Sequence, residues 1–168
     1  MDQRLTKTQI VIKGVVIDTK TNEGRSILGK YGEMIFIKYL TDNEIYFKYK
    51  NENNIYSRYD FYIKNNNKKY IIELKCRIGE LPNHNIEIID YDKVDYYKSL
   101  IKYNKSYNNI NSVFCFLHFK DENDYKIYFY TIDFDTINYV AFLNNTFDKK
   151  FYELSTENVK PIKELFYQ

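Results

Sequence analysis

The sequence predicts a mixed α/β domain. Runs of β-branched and aromatic residues of strand length recur along the chain. Two longer segments carry apolar residues at helical spacing. The elements alternate as strand, helix, three strands, helix, two strands and terminal helices, the order of one α/β layer structure. With 168 residues, 44% of them hydrophobic, and only 5 Gly and 2 Pro, the chain can build a core and is not a linker, collagen-like or disordered segment. Residues 1–168 carry no internal boundary and are expected to form a single domain.

Residues 10–18 (IVIKGVVID) form the first strand-like run, followed by a polar break at residues 19–24. Ser26 is placed to cap a helix to about Leu40, whose apolar stripe includes Ile27, Leu28, Tyr31, Met34 and Ile35. Strands are predicted at 44–49, 55–64 and 69–77. A looser stretch containing Pro82 leads to a helix at about 92–103, with Val94, Tyr97, Leu100 and Ile101 as its stripe. Strands at 112–119 and 125–132 flank the acidic turn 121–124. Two short helices are predicted near 135–143 and 156–166, the second limited by Pro161.

Other classes are excluded by what the chain lacks. No apolar run approaches the roughly 18 residues of a membrane-spanning helix, so no membrane partner is expected. The first residues, MDQRLT, do not resemble a signal peptide. Cys76 and Cys115 sit in apolar strand-like runs with no C-x-x-C spacing and are expected to be core residues in a reducing, cytoplasmic setting. His84 and His118 have no second ligand at metal spacing, and no zinc, serine-hydrolase or phosphate-loop motif is present. The 19 Tyr and 12 Phe, with no Trp, fit an AT-rich coding bias and carry little functional content.

Charge is uneven. Residues 25–79 hold 11 Lys and Arg against 6 Asp and Glu, whereas residues 80–168 hold 10 against 14. An anionic partner is therefore expected on the first segment.

The informative segment is residues 58–77, RYDFYIKNNNKKYIIELKCR. Two strand-like runs flank an Asn-rich turn, and Asn tolerates the positive φ of hairpin turns. A two-residue turn on Asn66 and Asn67 places Asp60 opposite Glu73 and Arg58 opposite Lys75. Alternation then puts Tyr59, Phe61, Ile63, Ile72, Leu74 and Cys76 on a core face. Arg58, Asp60, Tyr62, Glu73, Lys75 and Arg77 share the other face. Carboxylates directly opposed across a ladder repel, and a divalent cation between them reverses the sign. The alternative is a charged solvent face on which Arg58 and Lys75 soften the repulsion.

This arrangement of an Asp, a hairpin and an E-x-K triplet resembles the PD-(D/E)XK nuclease superfamily, whose fold is restriction-endonuclease-like: a mixed central sheet flanked by helices. Glu33 on the first helix, Asp60, and Glu73-Leu74-Lys75 match the motif positions, and the core order matches over about residues 26–119, with the strand and helices of 125–168 beyond it. Tyr59 stands where the family carries Pro. Lys93, at the start of the second helix and followed by aromatics, resembles phage and viral members, although pairing with Asp90 or Asp95 accounts for it equally.

The resemblance implies a metal-dependent DNA endonuclease. Asp60, Glu73, the Leu74 carbonyl and Glu33 are implied ligands of Mg²⁺ or Mn²⁺, and Lys75 is implied to orient or deprotonate the attacking water. Arg58, Arg77 and Lys93 are implied phosphate contacts. A homodimer is expected, because one such site cuts one strand. A Holliday-junction resolvase-like recombination nuclease, and a noncatalytic nucleic-acid-binding module of the same fold, are the competing expectations.

Overall fold

A computed structural model of the chain describes residues 5–49, 59–81, 86–103, 109–135, 139–140 and 151–167. The β-branched run near the start folds back on itself instead of forming one strand. Strand β1 (Gln9–Ile12) pairs antiparallel with β2 (Val15–Asp18), and Lys13 and Gly14 turn between them with φ of 51° and 77°. Positive φ at both central residues is what a tight hairpin turn requires.

Helix α1 (Asn22–Asp42) starts earlier than the Ser26 cap predicted from sequence. Thr21 caps it, its Oγ1 accepting the Gly24 N–H at 2.9 Å. A Cβ on Gly24 would stand 2.0 Å from the Asp18 carbonyl oxygen, so glycine alone lets the helix begin this close to β2. The apparent polar break is therefore a capped helix start.

Strands β3 (Tyr46–Tyr49), β4 (Phe61–Asn65) and β5 (Lys68–Ile78) form an antiparallel meander. Strand β6 (Ile86–Asp90) and helix α2 (Tyr91–Tyr103) then carry the chain across to β7 (Ile110–Phe119), which pairs parallel with β5. Parallel strands need such a crossover. Strand β8 (Tyr125–Thr131) returns antiparallel beside β7, and β11 (Lys160–Pro161) closes that edge. The six-stranded order is β11-β8-β7-β5-β4-β3. Helix, meander, helix and parallel strand follow in the expected order, giving a mixed central sheet flanked by helices.

Both faces of the sheet are buried. Phe36 and Leu40 of α1 pack with Phe61, Ile63, Ile72, Cys115 and Leu117 on one face. Val94 and Tyr97 of α2 pack with Ile71, Phe114 and Phe116 on the other. Strand β7 is accordingly apolar almost throughout, as central strands covered on both faces are. Cys115 lies within the first core and Cys76 packs against it, while His118 is 3% exposed on β7 with its Nδ1 3.1 Å from the Gly79 carbonyl oxygen. All three behave as the strand residues expected.

The C-terminal part departs from expectation. Residues 139–140, predicted helical, form β9 (Tyr139–Val140) against β10 (Phe151–Ser155), and β10 also pairs with β6. Of the rest of the predicted helix 135–143, Asp135 lies in a turn, and 136–138 and 141–143 lie outside the described residues. The predicted helix 156–166 is divided into a 3₁₀ turn, β11 and the short helix α3 (Lys163–Phe166). Pro161, which has no N–H to give a helix, sits in an edge strand instead. No described helix is long and apolar enough to cross a membrane.

Candidate active site

The β4–β5 hairpin has the predicted turn. Asn66 and Asn67 have φ of 47° and 62°, and Asn65 faces Lys68 across it. The register runs as predicted as far as Phe61 opposite Ile72. There it breaks, because the Asp60 N–H donates to the Ile72 carbonyl at 2.9 Å although Phe61 already faces Ile72. Two residues opposing one make a β-bulge, a feature found beside active sites because it re-aims side chains.

The bulge corrects two expectations. Tyr59, expected beside Phe61 and Ile63, is buried in the opposite core with Ile71 and Phe114. A slip of one residue flips the alternation, which is the physical reason. Asp60, expected straight across from Glu73, turns its Oδ2 onto the Leu74 N–H at 2.8 Å. In an antiparallel ladder a residue's N–H and C=O point to the same neighbour. The Leu74 carbonyl thus faces the edge where β4 has departed.

Glu73 lies on the α2 face and is 4% exposed, so the alternative of a charged solvent face does not hold: that face is covered by a second core. Three donors converge on its carboxylate. Lys75 Nζ is 3.0 Å from Oε1, while Lys93 Nζ at 2.9 Å and the Tyr97 hydroxyl at 3.0 Å both donate to Oε2. Burying a carboxylate demands such pairing. Lys75 also reaches Asp90 Oδ2 at 3.4 Å.

The electrostatics follow from this burial. Desolvation, together with the Glu73 carboxylate, pushes Asp60 up to about 7, against the opposing hydrogen bond from Leu74. Glu33 adds to the same repulsion, which ties the three acidic residues into one field. Burial alone would lower Lys75, but the adjacent Glu73, its hydrogen bond and Asp90 outweigh this and raise it. Lys75 is therefore an ammonium at neutral pH. Tyr97 is raised by burial and by Glu73, so its hydroxyl stays a proton donor. Burial likewise pushes the Cys76 thiol up to about 12, away from nucleophilic chemistry.

Glu33 projects from α1 on the other face, where its Oε2 accepts the Tyr49 hydroxyl at 2.5 Å. Glu33 and Glu73 thus approach Asp60 from opposite faces of the sheet. Arg77 donates to the Cys76 carbonyl at 3.2 Å, and Arg58 lies outside the described residues, as does His84. Two members escaped the sequence reading. Tyr97 was assigned to the apolar stripe, yet it stands four residues after Lys93 and shares its helix face. Asp90 belongs to a strand that the sequence hid within a loose stretch.

Asp60, Glu73 and the Leu74 carbonyl are hard oxygen donors of the kind Mg²⁺ takes. Among the described residues no group of three His, Cys, Asp or Glu is placed to cage a metal. The donor set fits Mg²⁺ or Mn²⁺ and does not fit zinc.

No protein-family model and no curated protein matches the chain. Among solved structures it is similar to a Holliday junction resolvase from the archaeal hyperthermophile Archaeoglobus fulgidus, at 10% sequence identity and a TM-score of 0.48, over 79% of this chain and 97% of that one.

Proposed function

We propose that the protein is a metal-dependent DNA endonuclease that hydrolyses phosphodiester bonds at the Asp60, Glu73 and Lys75 cluster. The observation that carries this reading is a buried carboxylate, Glu73, held by Lys75 beside a second carboxylate, Asp60, whose proton is already loosely poised near neutral pH. A structural ion pair has no need of the second acid, which only destabilises the first.

Asp60 and Glu73, with the Leu74 carbonyl, would hold the divalent ion. When bound, that ion supplies Lewis-acid polarisation of the phosphate and acidifies a bound water. Lys75, charged at neutral pH, donates hydrogen bonds to the water and stabilises the negative charge that grows on the phosphate oxygens. It acts as a fixed cation, and proton removal by Lys75 is not needed. Tyr97 fixes the orientation of Glu73, and Lys93 balances its charge while no metal is bound. Glu33 completes the field from the other face. Hydrolysis leaves one phosphate ester bond broken and one P–O bond formed from water. Cutting both strands of a duplex would take two copies of the chain.

The test is Mg²⁺- or Mn²⁺-dependent cleavage of plasmid, linear duplex and four-way-junction DNA by wild type, Asp60→Asn and Lys75→Ala. Cleavage by wild type that falls about 10²–10³-fold in each variant supports the reading. Cleavage undiminished in both variants removes the site. A wild type that binds DNA but cuts none of the three substrates points to a binding module.

A further inference from the structure

Strands β3, β4 and β5 turn three lysines onto one face of the sheet. Tyr46 pairs with Lys64 and Lys64 pairs with Lys69, so these side chains form a row across the strands. The next row towards the site is Lys48, Tyr62 and Ile71. Tyr62 and Ile71 pack into the second core, which places both rows on the α2 face, the one that carries Glu73. Helix α2 covers the β5 and β7 side of that face. Lys48, Lys64 and Tyr46 lie exposed beyond it, Tyr46 at 55%.

Lys64 and Lys69 stand directly opposite each other across the ladder. Such pairs hold their Cβ atoms about 4.5–5.5 Å apart, and like charges there are destabilising. Among the described residues none of Lys48, Lys64 and Lys69 has an ion-pair partner to relieve this. Lysines guard sheet edges against pairing, which accounts for Lys48 on the edge strand β3. It does not account for Lys64 and Lys69, which stand on the interior strands β4 and β5. A polyanion laid along this face turns their repulsion into attraction.

We infer that this face holds the backbone of the DNA duplex flanking the cut, with Lys48, Lys64 and Lys69 against phosphates and the Tyr46 hydroxyl donating to one. The inference rests on the nuclease reading and adds to it the side of the sheet along which the substrate runs. Lys69 stands four residues before Glu73 on β5, about 13 Å along the strand. That is the axial length of about four base pairs, so one duplex can reach both residues. Lysine and tyrosine contacts to phosphate position the duplex without reading its sequence.

The test uses the whole chain carrying Asp60→Asn, so that bound DNA stays intact, and reads duplex and four-way-junction affinity against salt. Lys64→Gln and Lys69→Gln are each expected to weaken binding about 3–10-fold and to reduce the slope of log K against log salt by about 0.9. Lys64→Glu sets opposite charges across the ladder, so it is expected to raise the thermal midpoint while weakening binding more than about tenfold. A loss of binding in a more stable protein cannot come from unfolding. Lys160→Gln, an exposed lysine on β11 at the opposite edge of the sheet, is the charge-matched control and is expected to change little. Unchanged affinity and slope in the first three variants, or an equal loss in Lys160→Gln, overturns the face as a DNA contact. Mg²⁺-dependent cleavage by wild type then leaves the nuclease reading standing. Binding that depends on Lys64 and Lys69 in a wild type that cuts no DNA keeps the face and overturns the nuclease reading. A folded protein that neither binds nor cuts DNA overturns both.

Discussion

Asp60 Oδ2 accepts the Leu74 N–H at 2.8 Å, so a side chain takes the place that a backbone carbonyl of β4 would hold in a continued ladder. The carboxylate is thereby built into the sheet where the two strands part. That position buries it next to Glu73 and raises its affinity for a proton.

Stability should therefore depend on pH through Asp60. Its carboxyl rises from 3.8 to about 7 on folding, so the folded chain binds this proton more tightly than the unfolded one. The contribution is complete below about pH 4 and is lost as pH climbs to about 7. Asp60→Asn removes the loss and should stabilise the protein at pH 8 by roughly 1–3 kcal/mol, with little effect at pH 4. Urea unfolding at the two pH values checks this, and equal shifts at both would refute it.

Divalent-ion affinity should fall in the same range. Asp60 must release its proton before it can ligate, so Mn²⁺ binding is expected to weaken as pH drops from 8 to 6. Calorimetry at the two values, in buffers of different ionisation heat, detects the proton released. Binding without proton release at pH 6 would contradict the assignment of Asp60.

Lys93 competes with any cation for Glu73, because its ammonium already occupies Oε2 at 2.9 Å. Lys93→Met should tighten Mn²⁺ binding about 3–10-fold while weakening DNA binding. Tyr97→Phe removes a neutral donor to the same oxygen and should cost about 1–3 kcal/mol of stability, since it leaves a buried carboxylate short of a partner. Metal affinity that falls in Lys93→Met would show that Lys93 supports the site instead of competing for it.

Gly32 sets how closely α1 lies on the sheet. A Cβ there would stand 2.1 Å from Cys76 Sγ and 3.1 Å from Leu117 Cδ2. Gly32→Ala is expected to destabilise by about 1–3 kcal/mol, despite alanine's better helix propensity. Cys76→Ala in the same chain should recover much of that loss, and a thermal-unfolding double-mutant cycle measures the recovery. Simple additivity would mean that the contact is not what limits the approach.

Much of this arrangement was legible in the residues themselves. The Asn66-Asn67 turn fixes the register, and the fully apolar β7 run marks a strand covered on both faces. The E-x-K triplet and Asp60 fall side by side because hairpin geometry is local. The bulge is invisible to alternation, since it arises only where Asp60 exchanges a ladder bond for the Leu74 N–H. Strands β6 and β10 were missed because their pairing partners are far apart in the chain, Ile88 facing Glu153. Lys93, Tyr97 and Asp90 join the site from the acidic half through that same long-range packing. The charge count of residues 25–79 thus marks only part of the site.

That Asp60 and Glu73 share a divalent ion is tested most directly by Mn²⁺ titration of wild type, Asp60→Asn and Glu73→Gln at pH 8, followed by calorimetry or by electron paramagnetic resonance of the free ion. The expected result is saturable binding by wild type that is lost, or weakened at least about tenfold, in both variants. Binding that persists unchanged in both, or is absent from a folded wild type, would contradict it.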